Sequence, residues 1–134
     1  MKKNYDIMEI GTFKEDLASK KRIESKEILS LTGSEVTFNY TPAGKYVPFV
    51  HSHKLNEEVY IILKGKGMFM VDDEEFPIQE GSVIRVSPSA KRAIAAGDED
   101  LIHICIQAKK ESLTQYTAED GVMHLEFKAS WMKD

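Results

Sequence analysis

Residues 44–65 read GKYVPFVHSHKLNEEVYIILKG, and the spacing within them decides the fold. The chain holds four histidines, yet His51 and His53 stand one residue apart, just ahead of the pair Glu57-Glu58 and a run of β-forming residues. Side chains of an extended strand alternate between its two faces, so a His-x-His pair presents both imidazoles on one face. If the chain turns over Lys54 to Glu57, the next strand returns antiparallel and sets Glu58 beside the two rings. That strand, Val59-Tyr60-Ile61-Ile62-Leu63, is apolar on both faces, which calls for cover on both sides.

Working outward, Val36-Thr37-Phe38-Asn39-Tyr40 alternates apolar with polar, and Met68-Phe69-Met70-Val71 does so less strictly. Further strands are expected over 5–10, 22–29, 47–53, 58–63, 82–86, 91–95, 101–107 and 122–127. Turn residues separate them at Gly65-Lys66-Gly67, Asp72-Asp73-Glu74-Glu75 and Gly97-Asp98. Many short strands at close spacing predict an all-β antiparallel sandwich or barrel rather than βαβ units. One helix is expected over 12–20, opened by the capping-box spacing Thr12-Phe13-Lys14-Glu15.

At 134 residues the chain suits one domain, 1–134, which buries roughly two-thirds of its unfolded surface. A hydrophobic fraction of 42% with 30% charged residues is that of a soluble globular protein, and no apolar stretch reaches the roughly 20 residues a membrane span needs. The opening MKKNYDIMEI lacks the apolar core of a secretory signal, so a cytoplasmic protein is expected. The single cysteine, Cys105, cannot form an internal disulfide and is read as a core thiol. A net charge of −4 gives no footprint for nucleic acid, and Lys20-Lys21-Arg22 is read as a solvated run. The two-faced apolar strands, Leu101 to Ile106 being nearly another, require a terminal segment or a second subunit over their outer side. A homodimer is the expected cover, with Trp131 among the aromatic residues near its interface.

Two neutral imidazoles and one carboxylate form a competent donor set for Fe, Mn, Zn, Ni or Cu as divalent ions, and three protein ligands leave positions open for water or substrate. A bare His-x-His also occurs in surface turns. Here the spacing adds more: from Gly44 to Gly65 the segment resembles the first motif of the cupin family, a glycine, a His-x-His, a glutamate after three or four intervening residues and a glycine seven after it. Glu58 meets both intervals, with Glu57 the alternative, and Gly44 precedes His51 by one residue more than the usual pattern. The segment 66–78 looks like the hairpin between cupin motifs. Residues 81–96 are similar to the second motif only in position: Ser87 stands where the family has proline, Ser89 where it has glycine, Arg92 where it has the third metal histidine and Ala96 where it has asparagine. The resemblance spans about residues 35–107 and implies a double-stranded β-helix, or jelly-roll barrel, with strand extensions at both ends. It also implies a divalent metal held by His51, His53 and Glu58.

Arg92 cannot ligate a metal, because guanidinium stays protonated and has no lone pair to give. Its fork suits the carboxylate or phosphate of a bound molecule, with Arg85 and Lys91 adding positive charge in the same segment. His103 is either a third imidazole or a packed residue with one satisfied nitrogen. Tyr60, on the same strand face as Glu58, is expected to line the interior beyond the site and to join Arg92 and Arg85 in binding the ligand, with core packing the alternative, and His124 has no assigned role. Two functions follow. One is a metal-dependent enzyme, an oxygenase or an isomerase or lyase, acting on a small anionic molecule. The other is a non-catalytic module that binds or senses a small molecule in the barrel cavity without metal.

Overall fold

Eight strands carry the fold in the computed structural model, which describes residues 4–115 and 117–132. They are β1 (Arg22–Glu24), β2 (Glu35–Thr41), β3 (Asn56–Lys64), β4 (Lys66–Val71), β5 (Glu74–Gln79), β6 (Val83–Val86), β7 (Arg92–Ala96) and β8 (Leu101–Lys109). Five form one sheet in the order β1-β2-β8-β3-β6 and three form another in the order β5-β4-β7, every pair antiparallel. The two sheets enclose a core of Tyr60, Ile62, Phe69, Ile78, Val86, Ile94, Leu101 and Cys105. This is a double-stranded β-helix with little helix. No described helix is long and apolar enough to cross a membrane.

Register decides which side chains look inward. Glu58, Tyr60 and Ile62 of β3 face the interior, as do Leu101, His103 and Cys105 of β8, and all six are buried. The alternate residues Val59, Ile61, Ile104 and Ile106 form the outer face and are half-buried. Gly65 makes the sharp turn from β3 to β4 at φ +95°, and a Cβ there would lie 2.1 Å from the Asp100 carbonyl oxygen, so only glycine fits.

Several expectations need correction. Residues 5–10 and 122–127 form no strand, so the barrel has no strand extensions at these two places. The segment 22–29 breaks after β1 into a short helix, α2 (Lys26–Leu29). The Glu35 carboxylate accepts the Ser25 and Lys26 backbone N–H groups at 3.0 and 2.8 Å, which ends pairing and opens the turn. The segment 47–53 forms no continuous strand: it meets the three-stranded sheet at the isolated bridge His51↔Arg92 and where Val47 N donates to Ile94 O at 3.2 Å, beside the bridge Tyr46↔Ala95 just before it. Pro48, which has no N–H to donate, lies between those bridges.

The expected helix 12–20 opens as a π-helical turn, Phe13–Leu17, and continues as α1 (Ala18–Lys20). Thr12 does cap it, its hydroxyl accepting from Glu15 N at 3.1 Å. The reciprocal carboxylate is Asp16, which accepts from Thr12 N at 2.7 Å, one residue later than the capping box predicts. The wider turn, with Leu17 N donating to Thr12 O at 3.0 Å, accounts for that shift. Phe13 packs on Phe38 at 6.2 Å between ring centroids and Leu17 is fully buried, so this terminal segment covers part of the outer face at β2. A third helical turn, α3 (Thr117–Asp120), follows the barrel.

Candidate metal centre

His51 is fixed by a backbone pair with β7: His51 N donates to Arg92 O at 3.2 Å and Arg92 N to His51 O at 3.0 Å. His53 is fixed by its own N–H to Pro88 O at 2.7 Å. Both rings project from one side of the segment, as period two requires, and meet at right angles with centroids 5.1 Å apart. Glu58 arrives from β3, where its neighbours across the ladder are Val86 and Gln107.

His51 Nε2 lies 3.5 Å from Glu58 Oε1, and His53 Nε2 lies 3.2 Å from Oε2. One donor atom from each of the three residues falls within 4.8 Å of the others. Glu57 is not in this group, and Glu58 supplies the buried carboxylate. His53 Nε2 is buried and makes no hydrogen bond despite its closeness to the carboxylate. A buried ring nitrogen without a partner, beside a second imidazole and a carboxylate, fits a first-row divalent ion.

Five groups crowd the Glu58 carboxylate. Besides the two imidazoles, the Tyr60 hydroxyl donates to Oε1 at 2.9 Å, the Cys105 thiol donates to Oε2 at 3.2 Å, and Arg92 Nε stands 3.4 Å from Oε1. Burial pushes the Glu58 carboxyl up. The Cys105 and Tyr60 hydrogen bonds, with the electrostatic influence of the neighbouring His53 and Arg92, outweigh it and hold the group below its usual value, so it is anionic. Burial lowers His51 against the opposing pull of Glu58, which leaves it neutral, the form that ligates a metal. Burial, reinforced by the nearby anionic Glu58, raises Tyr60 and Cys105, so both keep their protons and act as donors.

Arg92 is fully buried, and its fork is not free. Nη2 donates to Ser87 O at 3.0 Å, and Nη1 faces Pro88 O at 3.3 Å and His51 O at 3.5 Å. What it offers a ligand is therefore its charge, not the bidentate clamp expected from its chemistry. Arg85 is not brought to the site. Its register partner is Val59 while Val86 faces Glu58, so the same alternation that turns Val86 inward turns Arg85 out, where it bonds Ser87 Oγ at 3.0 Å.

His103 stands outside the three-residue group, on the far side of Tyr60, with ring centroids 5.7 Å apart. It is 3% exposed, its Nδ1 has no partner, and burial lowers its pKa to about 4, so it is neutral. Sequence reasoning missed the Cys105 and Tyr60 contacts with Glu58. The signal was present in the register, since Tyr60 and Cys105 are direct partners across β3 and β8 on the inner face.

A double-stranded β-helix with two histidines and a glutamate converging between its sheets defines a cupin-type barrel with a possible metal site. The chain belongs to the cupin family: the family model for the cupin domain matches residues 36–107, just over half of the sequence. A crystal structure of a cupin protein from Bacteroides fragilis is 46% identical, with a TM-score of 0.83, and the match covers 92% of this chain and 99% of that one. The chain is also 30% identical over 71 residues to an uncharacterised protein of Methanocaldococcus jannaschii, and this match spans about half (54%) of that relative's length. The DMSP lyase DddQ from Ruegeria pomeroyi shares the fold alone, at 19% identity and a TM-score of 0.59 over 75% of this chain and 53% of that one.

Proposed function

We propose that this protein holds one divalent first-row metal ion through His51, His53 and Glu58 and takes a small anionic molecule as a further ligand of that ion. The observation that carries the reading is the buried, unpartnered Nε2 of His53 within 4.8 Å of the His51 and Glu58 donor atoms. Cupins commonly bind divalent metals, and three protein ligands leave room for water or substrate. The preference for an anion follows from charge. Glu58 and Arg92 neutralise one another, so a bound dication leaves two uncompensated positive charges in a half-buried site. A carboxylate or phosphate on the metal offsets them. Bound there, the metal would act as Lewis acid or as the binding site for a second reactant, the chemistry of an oxygenase, isomerase or lyase. Tyr60 and Cys105 would hold the Glu58 carboxylate in place with protons they retain.

A second reading, a metal-free binding module, is favoured by one observation: the Glu58 carboxylate already has neighbours on both oxygens. Metal analysis of untagged protein separates the two. The first reading expects close to one transition metal per chain, lost in His51→Ala/His53→Ala while the β-sheet circular dichroism is kept. Equal, substoichiometric metal in wild type and double variant would establish the second.

A further inference from the structure

The strand that brings Glu58 to the metal centre runs in two directions from it. One leads through Tyr60 and Ile62 into the packed core, and the other leads outward to Asn56 on the same face. Directly across the ladder from Glu58 stands Gln107 of β8, across from Gln107 stands Glu35 of β2, and across from Asn56 stands Lys109. Direct partners in an antiparallel ladder share a face, so these side chains form a polar row on the side of the sheet to which Glu58 points.

The row lines a groove of about 810 Å³, completed by Thr32, Ser34 and Ser112 from the loops on either side. That size lies within the roughly 300–1,000 Å³ of small-molecule sites. Its charges balance, Glu24 and Glu35 against Lys26 and Lys109, and most of the rest is amide and hydroxyl. Balanced charge does not select an ionic body, and an apolar body would strip water from these groups without replacing its hydrogen bonds. A body carrying several hydroxyls, each both donor and acceptor, matches them. Asn56 Nδ2 donates to Gln107 Oε1 at 2.9 Å, which fixes the two amides against each other and keeps the Asn56 carbonyl and the Gln107 amino group as acceptor and donor for a ligand.

We propose that the anion taken by the metal is a polyhydroxylated acid, its carboxylate on the ion and its hydroxylated chain running past Gln107 and Asn56 into this groove. The inference rests on the metal centre of the proposed function and names what its ligand carries. Neighbouring strands lie about 4.8 Å apart and alternate residues of one strand about 7 Å apart. Gln107 and Asn56 are therefore the first polar side chains of the sheet that a chain meets on leaving an ion at Glu58 in the outward direction.

Gluconate and α-hydroxyhexanoate test this, because both are six-carbon α-hydroxy acids that present the same carboxylate and hydroxyl to a metal and differ only in the hydroxyls beyond. Calorimetric titration into zinc-loaded protein is expected to show gluconate binding about tenfold or more tightly than α-hydroxyhexanoate, the worth of one or two added hydrogen bonds. Gln107→Leu removes an amide at similar volume, and Gly33→Phe adds a ring at a position of the groove where a Cβ meets nothing within 4 Å. Both variants are expected to keep the β-sheet spectrum and the bound zinc and to lose most of the preference for gluconate. Equal affinity of the wild type for the two acids, or a preference undiminished in both variants, would overturn the inference while the bound zinc upholds the metal centre. Wild-type protein that takes up no zinc would overturn both.

Discussion

Arg92→Met keeps most of the buried volume and removes the charge, and it is expected to lower stability while raising metal affinity. Arg92 is fully buried, with Nη2 and Nη1 turned to the carbonyls of Ser87, Pro88 and His51 and Nε 3.4 Å from Glu58. Breaking a buried ion pair from one side costs about 3–5 kcal/mol. Tyr60 and Cys105 still hold the carboxylate, which favours the lower end, about 3 kcal/mol or roughly 10 °C of melting temperature for a domain of this size. The metal side has the opposite sign. An ion on the Glu58 carboxylate would lie about 5 Å from the guanidinium, and a dication repels a unit charge at that separation by about 7 kcal/mol at an effective dielectric of about 20. His51 leaves the site partly open, so water screens at least half of this, and about 3 kcal/mol, a factor of about 100 in affinity, remains. Scanning calorimetry of metal-free protein and competition against a chelator for zinc or manganese measure the two effects separately. A folded Arg92→Met variant whose metal affinity is unchanged or weaker refutes the charge argument.

Two further outcomes follow. His103 has its pKa lowered to about 4 by burial, so as pH falls below 6.5 the unfolded chain takes up the proton first; stability is lost from there down to about pH 4, by about 3 kcal/mol in all, and His103→Leu should flatten that slope in denaturant titrations at successive pH values. At Gly67 an added Cβ would stand 2.0 Å from the Ala95 carbonyl oxygen across the β4–β7 ladder, so Gly67→Ala should cost more than about 2 kcal/mol, while Gly33→Ala, with open space and no positive φ, should be neutral or stabilising by up to about 1 kcal/mol in the same urea titration.

The barrel was legible because its signals are local. Alternation at residues 36–40, the two-faced run 59–63 and the glycines between strands each report a neighbour or a turn, and β2, β3, β4 and β8 lie where those patterns put them. The histidine pair and Glu58 were legible for the same reason, since period two and a single turn bring them together. The terminal segments misled because alternation states only that one face wants burial. Residues 122–127 keep the pattern while no strand of the described sheets pairs with them. The break in 22–29 was hidden because it depends on the Glu35 carboxylate reaching back to Ser25 and Lys26, a contact between segments that no local pattern records. Arg92 was legible as a charge beside the site but not as a buried strut, because its partners are backbone carbonyls, which leave no mark in a sequence.

Those carbonyls explain how the barrel tolerates an arginine at the position where the family pattern has histidine. A metal ligand there would tie β7 to the His51 segment through the ion. Arg92 makes the same connection with its own hydrogen bonds to His51 O, Ser87 O and Pro88 O, so the arrangement does not wait for a metal. The wild-type barrel should therefore stay folded in chelator, and metal should add only modestly to its melting temperature. In Arg92→Met the connection has to come from the ion. If affinity rises about a hundredfold, a fixed free metal concentration well above both dissociation constants stabilises the variant by about 2.7 kcal/mol more than the wild type, close to the roughly 3 kcal/mol the substitution removes. Metal-loaded variant and metal-loaded wild type should then melt within a few degrees of each other, while their metal-free forms differ by roughly 10 °C. A loaded variant that still melts about 10 °C below the loaded wild type would mean that Arg92 and the metal stabilise independent parts of the barrel.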